Sequence, residues 1–223
     1  MHIFFNIEII FGTIVILCSF ILSLGMFKKT GSPPYLKNFY LYPLLALLLS
    51  IFTILNNFTF QTLKVTKTAI ENLYIILELF FWSYFFLNLF NTKRIKTLVR
   101  ILFLLSFFLT IYLISNSALK SYNHKILSIN NLLYVFYCCI YFFNLFKNTP
   151  TKKLKSDPVF FIILGIFFYA VFSLPLLSIS DYFKNSNHQS LSAAIVCTIN
   201  LTIIIMHLFF IKGYSCLIKS IKA

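Results

Sequence analysis

The stretch "ENLYIILELFFWSYFFLNLF", residues 71–90, places a carboxylate, Glu78, in the middle of a segment otherwise suited to hydrocarbon. An acid in that setting can hold a proton, bind a small solute, or pin neighbouring helices with a hydrogen bond. It cannot stay ionised against lipid. It must be buried among other helices, carry its proton and find a polar partner. Counted from residue 68, Glu78 lies ten residues into its helix, roughly 15 Å at about 1.5 Å per residue. That is near the centre of a bilayer.

A partner surface is legible further along the chain. Asn130, Tyr134, Tyr137, Tyr141, Asn144 and Asn148 recur at steps of four and three, which makes one polar stripe on a helix. Tyr134 and Tyr137 fall at the depth of Glu78, as do Tyr169 and Asn200 on the last two apolar segments. Glu78, Tyr134, Tyr137, Tyr169 and Asn200 are therefore the candidate buried cluster, with Tyr134, Tyr137 or Asn200 expected to bond Glu78. Such a cluster serves either as interhelical glue, at about 1 kcal/mol per bond, or as a proton or ligand site. Asn144 and Asn148, at the rim, read as glue.

Other polar residues have simpler readings. Glu8 and Glu71 lie near helix ends where a carboxylate reaches water, and Lys67 stands four residues before Glu71, a spacing that permits an ion pair. Arg100 and His207 fall near the opposite ends of their helices, where snorkelling and headgroup contact are expected. His2, His124, His188 and His207 are scattered, there is no CxxC, and no Asp falls within an apolar span. The ligands that a metal centre or an intramembrane hydrolase requires do not assemble. No enzymatic activity and no cofactor are expected. Cys18, Cys138, Cys139, Cys197 and Cys216 lie in or beside the spans, so no disulfide framework is implied.

The elements that must hold these residues follow from composition. The chain has 223 residues, 60% hydrophobic and 11% charged, with a mean hydropathy of +0.89. A helix needs about 20 apolar residues to cross a bilayer core. Seven stretches qualify, at about 3–26, 38–58, 68–90, 95–115, 126–146, 158–180 and 190–211. The connections are short, so residues 1–223 are read as one all-α seven-helix transmembrane domain, each backbone group bonded within its own segment. The first stretch lacks a basic start and a small-x-small site ahead of Lys28 and Lys29, so it reads as a span rather than a signal peptide.

Net charge is +14, and its placement decides its meaning. Lys28, Lys29, Lys37, Lys93, Arg94, Lys96, Arg100, Lys147, Lys152, Lys153, Lys155, Lys212, Lys219 and Lys222 fall on one side of the seven spans. Only Lys64, Lys67, Lys120, Lys125 and Lys184 fall on the other. The positive-inside rule then puts the N-terminus outside and the C-terminus in the cytoplasm. Basic charge so distributed marks topology and affinity for anionic headgroups, not nucleic acid. Lys152, Lys153, Lys155, Lys212, Lys219 and Lys222 are the candidate contacts for headgroups or a cytoplasmic partner.

Punctuation supports the same threading. "KKTGSPPYLK" breaks any helix at Gly31, Pro33 and Pro34. Asp157 is placed to cap the sixth helix, with Pro158 in its first turn. Pro43 and Pro175 fall within spans, where proline tends to kink a helix. The tail "KGYSCLIKSIKA" alternates lysines with apolar residues, as an interfacial tail does. "YFFLNLFNTKR" and "YFFNLFKNTPTKK" are alike, but they end helices three and five. Two three-helix repeats around a linker would instead match helices one to three with five to seven. The likeness reads as shared interface chemistry.

"ENLYIILELFFWSYFF" and "SDPVFFIILGIFFYAVFSLP" resemble a poorly characterised group of bacterial seven-helix membrane proteins. Its members carry an acid in an aromatic-rich third helix and an Asn/Asp-Pro-x-Phe start to the sixth. Glu78, Asp157, Pro158 and Pro175 are the corresponding positions. The resemblance implies a membrane partner or sensor half of a histidine-kinase system, multi-pass in a bacterial inner membrane. Two readings follow. One is a sensor or adaptor passing an envelope or lipid cue to a cytoplasmic signalling protein. The other is a small transporter or channel that uses Glu78, although the Pro-Gln signature of small seven-helix sugar carriers is missing. Self-association is compatible with either.

Overall fold

The computed structural model describes residues 2–27, 36, 38–59, 64–116, 124–147, 154, 157–185 and 189–220. The helices are α1 (His2–Phe27), α2 (Leu41–Thr59), α3 (Lys64–Leu89), α4 (Lys93–Asn116), α5 (His124–Lys147), α6 (Pro158–Asn185) and α7 (Gln189–Ser220). A single 3-10 turn, Asn38–Tyr40, leads into α2. Among the described residues, seven helices are long and apolar enough to cross a membrane. The protein is an all-α, multi-pass membrane bundle.

Each helix packs on the next in sequence, and α7 returns to α1, so the seven close into a ring. The α6–α7 contact is the most extensive, and α3 also touches α5 across the interior. Glycine explains the first of these. A Cβ on Gly213 would stand 2.9 Å from the Pro158 carbonyl oxygen, and one on Gly165 would stand 2.9 Å from Phe209 Cβ. Neither approach tolerates a side chain.

The outer surface is apolar. Leu105, Phe108, Phe143 and Phe146 are each more than 60% exposed, which suits lipid and would be a liability in water. Inside, Leu36, Phe39, Trp82, Phe85, Phe86, Tyr134, Tyr137, Phe210 and Tyr214 form an aromatic core contributed by α2's leading turn, α3, α5 and α7.

Helix ends follow local chemistry. Asp157 Oδ1 accepts a hydrogen bond from the Val159 backbone N–H at 2.9 Å, capping α6. Pro43 lies in the first turn of α2, where its missing N–H costs nothing, so it starts a helix rather than kinking one. Pro175 is within α6, and the helix continues through it to Asn185. The last helix does not stop near 211. It runs to Ser220 and buries Gly213 and Tyr214 in the bundle, so the first part of the tail is packed structure instead of an interfacial strip.

Candidate functional site

Glu78 sits in α3 with 2% of its surface exposed. Its Oε1 accepts a hydrogen bond from the Tyr42 hydroxyl at 3.0 Å. The Trp82 indole N–H, one turn along the same helix, approaches Oε1 at 3.4 Å. The Tyr74 side chain, one turn before Glu78 on α3, lies beside that of Tyr42.

Both contacts fall on one oxygen. Glu78 Oε2 is buried without a hydrogen-bond partner among the described residues. A neutral acid that accepts on Oε1 carries its proton on Oε2. The arrangement therefore presents one O–H donor to the bundle interior, with no acceptor for it among the described residues.

Other polar groups nearby share that condition. His207 of α7 is wholly buried. Its ring lies against Tyr42 with centroids 5.9 Å apart and planes at 16°, and neither ring nitrogen has a partner. The Tyr134 hydroxyl of α5 is also buried and unbonded, with its ring 6.4 Å from that of Trp82. An unsatisfied buried polar group costs about 1–3 kcal/mol. His207 and Tyr134 thus join the acid's own Oε2 as buried polar groups without a hydrogen bond among the described residues.

Aromatic rings enclose the site. Tyr42 and Trp82 have centroids 4.5 Å apart, and Phe81 stands 5.4 Å from Tyr42. Toward the end of the bundle that bears the basic segments, Phe39 closes the floor. Its ring meets Trp82 at 5.9 Å, Phe85 at 5.4 Å and Phe210 at 5.3 Å, all edge-on. Leu36 and Phe39 are 2% and 1% exposed. The chain between α1 and α2 thus dips into the bundle before α2 begins.

The residues picked out in the sequence divide accordingly. Tyr134 and Tyr169 reach the Glu78 neighbourhood, Tyr169 being close to both Tyr42 and Tyr134. Tyr137 does not bond Glu78. Its hydroxyl donates to the Val99 carbonyl oxygen of α4 at 3.2 Å. Asn200 is half-buried on α7 and makes no bond with Glu78. The expected partner is therefore corrected: Glu78 bonds Tyr42 of α2, not Tyr134, Tyr137 or Asn200.

His207 is corrected too. It is core rather than rim, because α7 extends about two turns beyond the apolar run and so lowers the basic end relative to it. Tyr42 and His207 were the missed residues. The "LKNFYLYP" segment offered a signal in its run of three closely spaced aromatics ahead of Pro43.

The stripe on α5 does face inward at Asn130, Tyr134 and Tyr137, which are fully buried. Asn131 beside it donates to Ser173 of α6 at 2.8 Å. Tyr141 and Asn144 are half-buried. Arg100 and Lys212 are exposed. Asn148, Lys152, Lys153, Lys155 and Lys222 lie outside the described residues, as do the side chains of Lys67 and Lys219.

Set against known protein families, characterised proteins and solved structures, the chain has no match.

Proposed function

We propose that the protein is a non-enzymatic sensor or adaptor of a bacterial inner membrane, with its C-terminus in the cytoplasm. It takes its cue at the Glu78 cluster and passes occupancy to a cytoplasmic signalling protein. The hydrogen bond from Tyr42 to Glu78 carries this reading. Tyr42 lies in the first turn of α2, directly after the 3-10 turn that places Phe39. A ligand that takes over the Glu78 carboxyl removes the acceptor that holds α2's first turn. Phe39 and the segment leading to α1 then lose their anchor. A change at the acid is thereby coupled to the basic end of the bundle.

The surface at that end suits the role. Lys93, Arg94, Arg100, Lys147 and Lys212 are exposed. In the sequence Lys152, Lys153, Lys155, Lys219 and Lys222 fall on the same side of the spans, and positive charge there suits anionic headgroups or an acidic protein surface. Affinity purification from native membranes in mild detergent tests the proposal. A stoichiometric cytoplasmic partner is expected, with recovery altered in Tyr42→Phe. Repeated failure to recover any partner counts against it.

A transporter or channel is the second reading, supported by the unbonded Oε2 of an acid in the middle of its helix. Reconstituted vesicles distinguish the two. Solute-dependent collapse of an imposed pH gradient, lost in Glu78→Gln, would establish transport.

A further inference from the structure

We propose that the Glu78 cluster binds a lipophilic organic monocation of the ammonium type, reached from the bilayer. The proposal rests on the reading of Glu78 as a ligand site, and holds whether the bundle signals or transports.

Charge comes first. Tyr42 and Trp82 are the hydrogen-bond partners of Glu78, and among the described residues no lysine or arginine neutralises it. The titratable groups near it are Tyr74 on its own helix, Tyr42, Tyr134 and Tyr169 on neighbouring elements, and His207 against the Tyr42 ring. Tyrosines are neutral, and a buried imidazole with both nitrogens unbonded is held as the neutral ring. The site therefore has one position for negative charge and no resident cation. When an organic cation arrives, the Oε2 proton leaves, and one positive charge replaces another.

Ring geometry narrows the ligand further. Tyr42 and Trp82 reach the carboxyl directly, and Phe81 and Tyr134 pack against those two rings. Aromatic faces attract a desolvated cation and repel an anion. A carboxyl next to aromatic rings is a combination that recognises alkylammonium groups, where charge is spread over methyl or methylene surface. A small metal ion is less well served. It requires several hard or nitrogen ligands, and no group of three His, Cys, Asp or Glu side chains converges among the described residues.

Access is lateral. Phe39 closes the floor, whereas α2 and α3 meet only slightly compared with α6 and α7. Tyr74 and Phe81, on the α3 side of that seam, are half-buried. A cation already partitioned into the membrane meets the ring there at a thin contact, beside the acid.

The chain holds a single tryptophan, and its indole nitrogen is 3.4 Å from Glu78. Intrinsic fluorescence is therefore a reporter of this one site. Purified full-length protein in detergent is titrated with benzyltrimethylammonium, and in parallel with its neutral isostere neopentylbenzene and with benzenesulfonate. Calorimetry on the same samples gives stoichiometry.

The expected result is saturable quenching at one cation per chain, at least tenfold tighter than either control. Glu78→Gln should weaken cation binding tenfold or more. Tyr42→Phe, which keeps the ring and removes the bond to the acid, should bind at least as tightly as wild type, whereas Tyr42→Leu should bind more weakly. That pair decides the matter even where a Glu78 variant fails to fold. Equal binding of cation and isostere would overturn the ligand class while leaving a Glu78 site intact. If no probe binds, and a Glu78→Gln protein still recruits its partner normally, both this inference and the ligand-site reading fail.

Discussion

Tyr42 and Glu78 stand 36 residues apart in the chain, yet the phenol oxygen of one donates its hydrogen to the carboxyl oxygen of the other across 3.0 Å. The bond joins the first turn of α2 to the middle of α3 inside an aromatic core. Its loss should be measurable without disturbing the rings. Tyr42→Phe is expected to cost about 0.5–1.5 kcal/mol, read as a lower melting temperature in detergent.

Glu78→Gln keeps an acceptor for Tyr42 and a donor for the interior, so it should retain the fold. Glu78→Leu leaves the Tyr42 hydroxyl without its acceptor and should cost about 1–2 kcal/mol. In the double variant Tyr42→Phe/Glu78→Leu the two penalties should fall short of adding, because they share one bond. Strict additivity would show that the hydrogen bond carries no stability. A Glu78→Gln protein that folds normally but loses partner recruitment would assign the acid a working role beyond packing.

The closeness of α6 and α7 yields a sharper test. A methyl group on Gly213 meets the backbone carbonyl of Pro158 at 2.9 Å, and backbone cannot step aside as a side chain would. Gly213→Ala should therefore destabilise by about 1–3 kcal/mol. Gly25 has nothing within 4 Å of the equivalent position. Gly25→Ala is the control, expected to be neutral or slightly stabilising, since it removes the flexibility of a helical glycine. Thermal unfolding of the two variants side by side checks both.

What the sequence disclosed, and what it withheld, have physical reasons. Seven spans were legible because apolar length is dictated by bilayer thickness. Burial of Glu78 was legible because lipid gives an acid no alternative. Its partner was not. Matching depths by counting from helix starts assumes that all helices begin at one level, and Leu36 and Phe39 show α2 beginning inside the bundle. The same counting placed His207 at the rim, because the lysines after it suggested an end to α7 that comes only at Ser220. Apolar periodicity marks where a helix lies in lipid. It carries little information on vertical register between helices, which side-chain packing decides.

The α6 cap gives a local prediction. Asp157→Ala removes the acceptor for the Val159 N–H and should cost about 1 kcal/mol, with Asp157→Asn recovering most of it. Melting of the three proteins in one detergent is the measurement. Equal stability of Ala and Asn variants would mean that water caps the helix as well as the side chain does.

Threading is the prediction on which the sensor reading depends. Fourteen of the 19 basic residues gather on one side of the spans, and the cost of carrying such charge across a membrane sets which side stays in the cytoplasm. In the proposed sensor the Glu78–Tyr42 bond acts on that same end through Phe39, so a cue at the acid would reach a cytoplasmic partner only if the basic end faces inward. A single cysteine at position 153, in a background without the native cysteines, should resist an impermeant thiol reagent in intact cells and react after permeabilisation. A cysteine at position 120 should behave in the opposite way. Labelling of position 153 from outside would invert the bundle, place the Phe39 end at the envelope face, and remove the route by which the proposed signal leaves the membrane.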